Sequence, residues 1–292
     1  MTTAAPRLGV AFVPTVPPER LRSLAVAAET SGLDDLWVWE DCFKQSGVAS
    51  AAAALAWTER LRVGIGLMPA PLRNVGLVAM EIATLERMFP GRIVPGVGHG
   101  VQDWMGQVGG RVASPMTLLR EYAVALRSLL SGEEVTVQGR YVSLDRVRLD
   151  WPPTPPPPLM LGGSGPKSLA LAGELGDGTL LAAALTEDEI ADAWRIASGA
   201  ARGPGHQLVA TQIAVTGPDA QERFDREVQV WGKQPGQGGG VAGDAAAVAA
   251  SVFRLAELGA TTVMIQPTVD EPDLEGFIRF LGEEVQPLLH VT

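Results

Sequence analysis

Apolar positions along the chain follow two alternating rhythms. The runs "LGVAFVP" (8–14), "DLWVW" (35–39), "LRVGIGLM" (61–68) and "RIVPGVG" (92–98) are apolar at nearly every residue, the pattern of strands buried on both faces. Between them the spacing becomes helical. Residues 19–31 stop at Gly32, residues 50–58 are rich in alanine, and residues 75–89 set Val78, Ile82, Leu85 and Phe89 on one side. A fourth helix begins at Pro115, carries Leu119, Tyr122, Leu126, Leu129 and Leu130 on one face, and ends at Gly132.

The rhythm then changes. "EVTVQGRYVSLDRVRL" alternates with period two around Gln138 and Gly139, which predicts a hairpin inserted after helix 4. "WPPTPPPP" (151–158) is too stiff for a helix or a central strand. It reads as a rigid crossing back to the core rather than a domain linker or an SH3-type ligand, because strand-like runs resume directly at 159–163, 178–183, 206–216 and 261–267. Helices are expected over 166–175, from a Thr186 and Glu189 capping box, over 244–258 and over 273–289, with a loose glycine-rich loop at 232–240. Eight strand and helix pairs predict an α/β fold, a (β/α)8 TIM barrel in one domain spanning 1–292, with an insertion at roughly 133–158. An open doubly wound sheet fits less well, because its first turn would carry G-x-G-x-x-G where this chain has "VPTVPPE".

Charge and cysteine content narrow the partners. The net charge is −10 and the 23 Lys and Arg residues are scattered, so no nucleic-acid partner is expected. Cys42 stands alone, the N-terminal stretch lacks a signal-peptide pattern, and no apolar run approaches the roughly 20 residues of a membrane span. The expectation is a soluble, cytoplasmic protein with no membrane partner, acting on a small molecule. Neither H-x-x-x-H nor C-x-x-C spacing is present, so no metal site is expected.

In such a barrel, functional residues lie beyond the C-terminal ends of the strands. There the sequence places Glu40, Asp41 and Cys42, then Gly66, Leu67 and Met68, then Gly98 and His99, and then the turn "GGSGPK" from Gly162 to Lys167. Glycines 162, 163 and 165 permit close backbone approach, and Pro166 suits a first helical position. The free N–H groups behind it make either an anion seat, with Ser164 and Lys167 as added donors, or an ordinary tight turn. His99 lies between glycines, facing a cavity or making a structural hydrogen bond. Only one of the adjacent Glu40 and Asp41 can face the barrel mouth. Cys42 is a nucleophile without an assignable partner, or a small filler.

The segments "GLDDLWVWEDCF", "RLRVGIGLMPAPLRNVGLVAMEIATLERMFPGRIVPGVGHG" and "LGGSGPKSLALAGELGDG", with the tail from "AGDAAAVAASVFRL" onward, resemble the bacterial luciferase-like monooxygenase superfamily, particularly actinobacterial members that use the deazaflavin coenzyme F420. The resemblance implies a non-prolyl cis peptide and bulge around Gly66, Leu67 and Met68 behind the cofactor ring. It places Gly98 and His99 beside that ring and Gly162, Gly163, Ser164, Gly165 and Lys167 around a cofactor phosphate. Relatives commonly carry Asp-His where this chain has Glu40-Asp41, and some carry a catalytic Glu where it has His99. Asp41 and His99 are therefore the catalytic candidates, with Trp39 and Trp104 as walls or rim packing. The implied activity is hydride transfer between the deazaflavin C5 and a small organic substrate, in a homodimer. FMN is the alternative cofactor, and a non-catalytic flavin or deazaflavin carrier is the alternative function. An aldolase reading fails for want of a strand-end lysine.

Overall fold

Eight parallel strands close on themselves in the order β1 (Arg7–Phe12), β2 (Asp35–Val38), β3 (Arg62–Pro69), β4 (Ile93–Gly98), β7 (Met160–Gly162), β8 (Gly178–Leu180), β9 (Gln207–Val215) and β11 (Thr262–Gln266). Pairing of β11 with β1, and of β8 with β9, completes the ring. These coordinates are a computed structural model that describes residues 5–290, and whatever the sequence implies for residues 1–4 and 291–292 lies outside the described residues. The chain is a (β/α)8 barrel, as its alternation predicts.

Helices α1 (Leu21–Thr30), α2 (Gly47–Trp57), α3 (Val75–Met88), α4 (Gln102–Gln107), α5 (Pro115–Leu130), α6 (Pro166–Leu175), α7 (Glu187–Gly199), α8 (Ala220–Val230) and α9 (Ala245–Glu257) follow the strands. The closing segment is not one regular helix: α10 (Leu274–Arg279) passes through a π-helical stretch, Phe280–Val285, into α11 (Gln286–Leu289). The antiparallel pair β5 (Val135–Gln138) and β6 (Ser143–Val147) stands apart from the barrel after α5. A short strand, β10 (Gly240–Ala242), extends β9 beyond the end of β8, where the sequence suggests only a loop. Helices α4 and α8 are absent from the sequence-based expectation. In α8 the apolar residues are outnumbered by charged and amide ones, which hides its inner face.

Strand alternation sorts the core into two compartments. Leu8, Val10, Phe12, Leu36, Val38, Val63, Ile65, Val263 and Ile265 point outward into the layer beneath the helices. Ala11, Trp37, Val94, Met160, Leu180, Val209 and Met264 point inward and fill the barrel. Trp37 is fully buried at its centre, and a side chain at Gly64 on the adjacent strand would collide with its ring. The barrel is thus packed at mid-height and leaves space above. The joint between β3 and β4 is locked from below, where Arg92 donates to the Leu61 and Thr58 carbonyls at 2.9 and 3.0 Å and to Thr58 Oγ1 at 2.6 Å. Glu86 accepts from the Gly91 N–H at 2.7 Å, so the run "ERMFPGR" is a structural clasp.

At this same end of the barrel, Asp35 is fully buried with Arg62 Nε 3.5 Å from its carboxylate. Burial pushes its pKa up to about 6, against the pull of Arg62 and Arg7. A carboxyl whose pKa is raised on folding binds more protons in the native than in the unfolded state, so its stabilising contribution declines as pH rises from about 4 to about 6. Denaturant unfolding of wild type and Asp35→Asn across that range should show the variant gaining about 3 kcal/mol relative to wild type, at about 1.36 kcal/mol per unit. A constant difference between the two would refute the assignment.

Candidate active site

The space above Trp37 is a cavity of about 380 Å³, within the range of small-molecule sites. Its walls come from the C-terminal ends of β2, β3, β4, β7, β8, β9 and β11, together with α4 and Trp231 beyond α8. Of the residues singled out in the sequence, Glu40, Asp41, Gly66, Leu67, His99, Gly162, Gly163 and Ser164 line it, as do Trp39 and Trp104. Both carboxylates thus reach the mouth, because the chain leaves β2 at Val38 and strict strand alternation no longer applies to them.

Relative to β4, β3 holds one extra residue between Ile65 and Met68: Ile65 pairs with Pro95, and Met68 with Val97. The Gly66–Leu67 peptide within this bulge is cis. Because the bulge consumes one residue, Gly66 and Leu67 both face inward and the alternation restarts one position late. Met68 is therefore returned to the outer core beneath the helices, and the structure does not bring it to the cavity. Leu67 takes its place. Its side chain lies across the ends of β4 and β7, where a Cβ on Gly98 would stand 2.6 Å from Leu67 Cδ2 and one on Gly162 would be closer still. Gly98 thus serves the wall by making room, without lining the cavity itself.

Beyond Gly162 the backbone turns into α6. Ser168 Oγ accepts from the Gly165 N–H at 3.2 Å and donates to the Gly165 carbonyl at 2.9 Å, which fixes the turn. The first turn of α6 has no side-chain cap, so its remaining N–H groups are open to an acceptor. Ser164 is exposed at the cavity edge, whereas Gly165 and the exposed Lys167 stand outside the cavity on the same turn.

The two carboxylates beyond β2 differ in environment. Glu40 is buried and held by both Arg73 Nη1 and Arg73 Nη2, the latter at 2.9 Å from Oε2, which also accepts from the Gly47 N–H at 2.8 Å. Its charge is spent on anchoring α2 and the β3–α3 connection. Among the described residues Asp41 has no side-chain hydrogen bond or ion pair. Burial raises its pKa, with Lys44 opposing. His99, partly buried, has its Nδ1 without a hydrogen-bond partner, and burial lowers its pKa against the effect of the Pro115 carbonyl. The imidazole is therefore neutral at pH 7. No hydrogen bond or ion pair joins Asp41 to His99, so they act on the cavity separately rather than as a dyad. The Cys42 thiol is pushed up by burial and by Glu40 and Asp41, the reverse of an activated nucleophile.

Trp231 was not legible as a site residue. It lines the cavity from the end of α8, edge-on to Trp39 with ring centroids 6.0 Å apart. Phe224, Val228 and Trp231 lie at i, i+4 and i+7 and pack against Ala183, Ala184, Ile213 and Val215. That spacing is the signal that would have revealed both the helix and its tryptophan. Among the described residues no group of three or more His, Cys, Asp or Glu could hold a metal, and no helix is long and apolar enough to cross a membrane.

Comparison with known proteins finds relatives in both sequence and fold. A sequence profile described as luciferase-like monooxygenase matches residues 2–262. A 5,10-methylenetetrahydromethanopterin reductase from Methanolobus tindarius is 32% identical over 193 residues, which cover 66% of this chain and 59% of that protein. An F420-dependent glucose-6-phosphate dehydrogenase from Nakamurella multipartita is 34% identical over 176 residues, covering 55% of this chain and 51% of the relative. The chain thus spans between half and three fifths of these curated relatives. In overall fold it is similar to the coenzyme F420 dependent tetrahydromethanopterin reductase from Methanopyrus kandleri, with a TM-score of 0.83, 20% identity, and coverage of 98% of this chain and 100% of the other.

Proposed function

The chain belongs to the luciferase-like monooxygenase family, and from that premise we propose that it is an oxidoreductase that binds coenzyme F420 at the barrel mouth and moves a hydride between the deazaflavin C5 and a small organic substrate. The observation that carries this reading is the continuity of one wall: Leu67 on its bulge, the glycines it overlies on β4 and β7, and the open first turn of α6 follow one another along the cavity. A flat apolar ring fits against the first two, and a phosphate fits the third. The name of the Nakamurella multipartita relative points to the same coenzyme.

When bound, the deazaflavin supplies the carbon that carries the hydride. The residues of this chain supply position and proton traffic. Leu67 backs the ring, with Gly98 and Gly162 leaving it room. Gly163, Ser164, Gly165 and Lys167 hold the phosphate through N–H, hydroxyl and ammonium donors, and the extended anionic tail of F420 has more need of Lys167 than FMN does. His99, kept neutral by burial, takes or returns the proton that accompanies the hydride. Asp41, unpaired in the same cavity, is the second candidate for that transfer. The walls of Leu180, Leu181 and the tryptophans exclude water from the reacting carbon.

A homodimer completes the proposal. On α3, Leu77, Met80 and Met88 form an outward stripe 43%, 54% and 63% exposed, and the neighbouring α5 exposes Val124. A twofold contact through this face would cover it.

Fluorescence titration with F420 should show Lys167→Ala binding roughly tenfold more weakly while its thermal unfolding is unchanged. His99→Gln should keep its F420 affinity and lose about a hundredfold in turnover. Unaltered affinity in the first variant removes Lys167 from the phosphate seat, and equal losses of affinity and turnover in the second make His99 structural. Sedimentation equilibrium should give a dimer for the wild-type chain and a monomer for Met80→Glu, and a monomeric wild type would reject the interface.

A further inference from the structure

A second cavity of about 380 Å³ lies at the closed end of the barrel, where the cofactor reading places nothing. Four of its lining residues, Arg7, Arg62, Gln207 and Thr262, are the first residues of β1, β3, β9 and β11. Each stands an even number of positions before a residue of the barrel interior: Ala11, Gly64, Val209 and Met264. Strand alternation therefore turns all four toward the barrel axis, beneath Trp37. We infer that this end of the barrel binds a small dianion, either a phosphoryl group or a pair of carboxylates, held by the guanidinium groups of Arg7 and Arg62 and coupled to protonation of Asp35.

The lining supports an anion. Among the described residues no carboxylate lines this cavity, although the chain as a whole carries a net charge of −10. Two arginines share it instead, and both can be reached: Arg7 is exposed, and the Arg62 side chain retains 16% of its surface. Among the described residues neither guanidinium makes a side-chain hydrogen bond, and their one ion pair is the 3.5 Å approach of Arg62 Nε to Asp35. A guanidinium is a planar fork of N–H donors whose geometry matches a phosphate or a carboxylate. A dianion in the cavity would engage both forks and offset their mutual repulsion, with the Gln207 amide and the Thr262 hydroxyl as neutral donors beside them.

Asp35 sets the charge balance from behind. Its strand, β2, lies between β1 and β3, and its carboxylate is sealed from solvent, so it acts on the arginines and does not touch the ligand. Ionised, it cancels one of their two charges. Protonated, it leaves both to the dianion. Burial already brings its pKa up to about 6, and an anion bound nearby raises it further, so binding draws a proton onto Asp35. The other charged group acting on Asp35, besides Arg7 and Arg62, is Asp34, whose carboxylate accepts from the Leu8 N–H at 2.9 Å and the Gln286 amide at 3.0 Å. His206 does not line the cavity: its Nε2 lies 2.9 Å from Thr179 Oγ1, and its ring stacks on Trp194.

Calorimetric titration with sulfate, a tetrahedral dianion whose own charge is constant between about pH 5.5 and about pH 8, tests this at ionic strength held constant with sodium chloride. Wild-type protein should bind sulfate saturably, and roughly tenfold more tightly at the lower pH, the equivalent of about one pKa unit on Asp35. Arg7→Gln, which removes an exposed side chain without a described partner, should keep its circular dichroism spectrum and bind at least about tenfold more weakly at both pH values. Asp35→Asn should bind at the higher pH as tightly as wild type does at the lower, with no further pH dependence. Displacement of sulfate by glycerol 3-phosphate would assign the site to a phosphoryl group, and displacement by succinate to a pair of carboxylates. No saturable sulfate binding, displacement by neither compound, or a pH dependence retained in Asp35→Asn would each overturn the inference. So would an affinity weakened by Lys167→Ala and unchanged by Arg7→Gln, which would move the sulfate to the α6 turn.

Discussion

One residue more on β3 than on its partner β4, between Ile65 and Met68, is the constraint on which the cavity depends. Strand alternation is strict, so an inserted residue must turn two neighbours to the same side before the pattern resumes. Here the doubled side is the interior, and the doubled position is Leu67. Without the bulge Met68 would point into the mouth, and β3 would have no residue lying across the next two strands. The glycines at 98 and 162 have their meaning only in relation to that leucine. Trp37 completes the arrangement from below by filling the barrel at mid-height, which closes the mouth cavity from beneath.

Local partners divide the charge. Glu40 reaches the cavity wall but is held by Arg73 and the start of α2, and its role is architectural. Asp41, the next residue, lines the same cavity as His99 and has no ion-pair partner among the described residues. Two adjacent carboxylates therefore end in different environments, one fixed in an ion pair and one left without such a partner. The cavity as a whole is apolar with a few unsatisfied polar atoms, a composition that orients a ligand more than it attracts charge.

Much of this was readable before any coordinates. The eight apolar runs, the capping box at Thr186 and the glycine-rich turn after β7 are local patterns, and local patterns survive in a sequence. Long-range relations did not survive. A bulge is defined by register against another strand, so Met68 read as a wall residue when it is a core residue. Glu40 and Asp41 were indistinguishable without knowing that Arg73, 33 residues away, closes on the first. Helix α8 disappeared into its own charged surface, and Trp231 with it, although the spacing from Phe224 through Val228 carried the information.

The central claim is that the wall running from Leu67 to the turn of α6 is a deazaflavin seat. Equilibrium titration of the purified wild-type protein with F420 and, separately, with FMN tests it most directly. The account predicts saturable F420 binding at least about tenfold tighter than FMN, because the longer anionic tail engages the donors of the α6 turn. FMN binding more tightly, or neither compound binding, would contradict it.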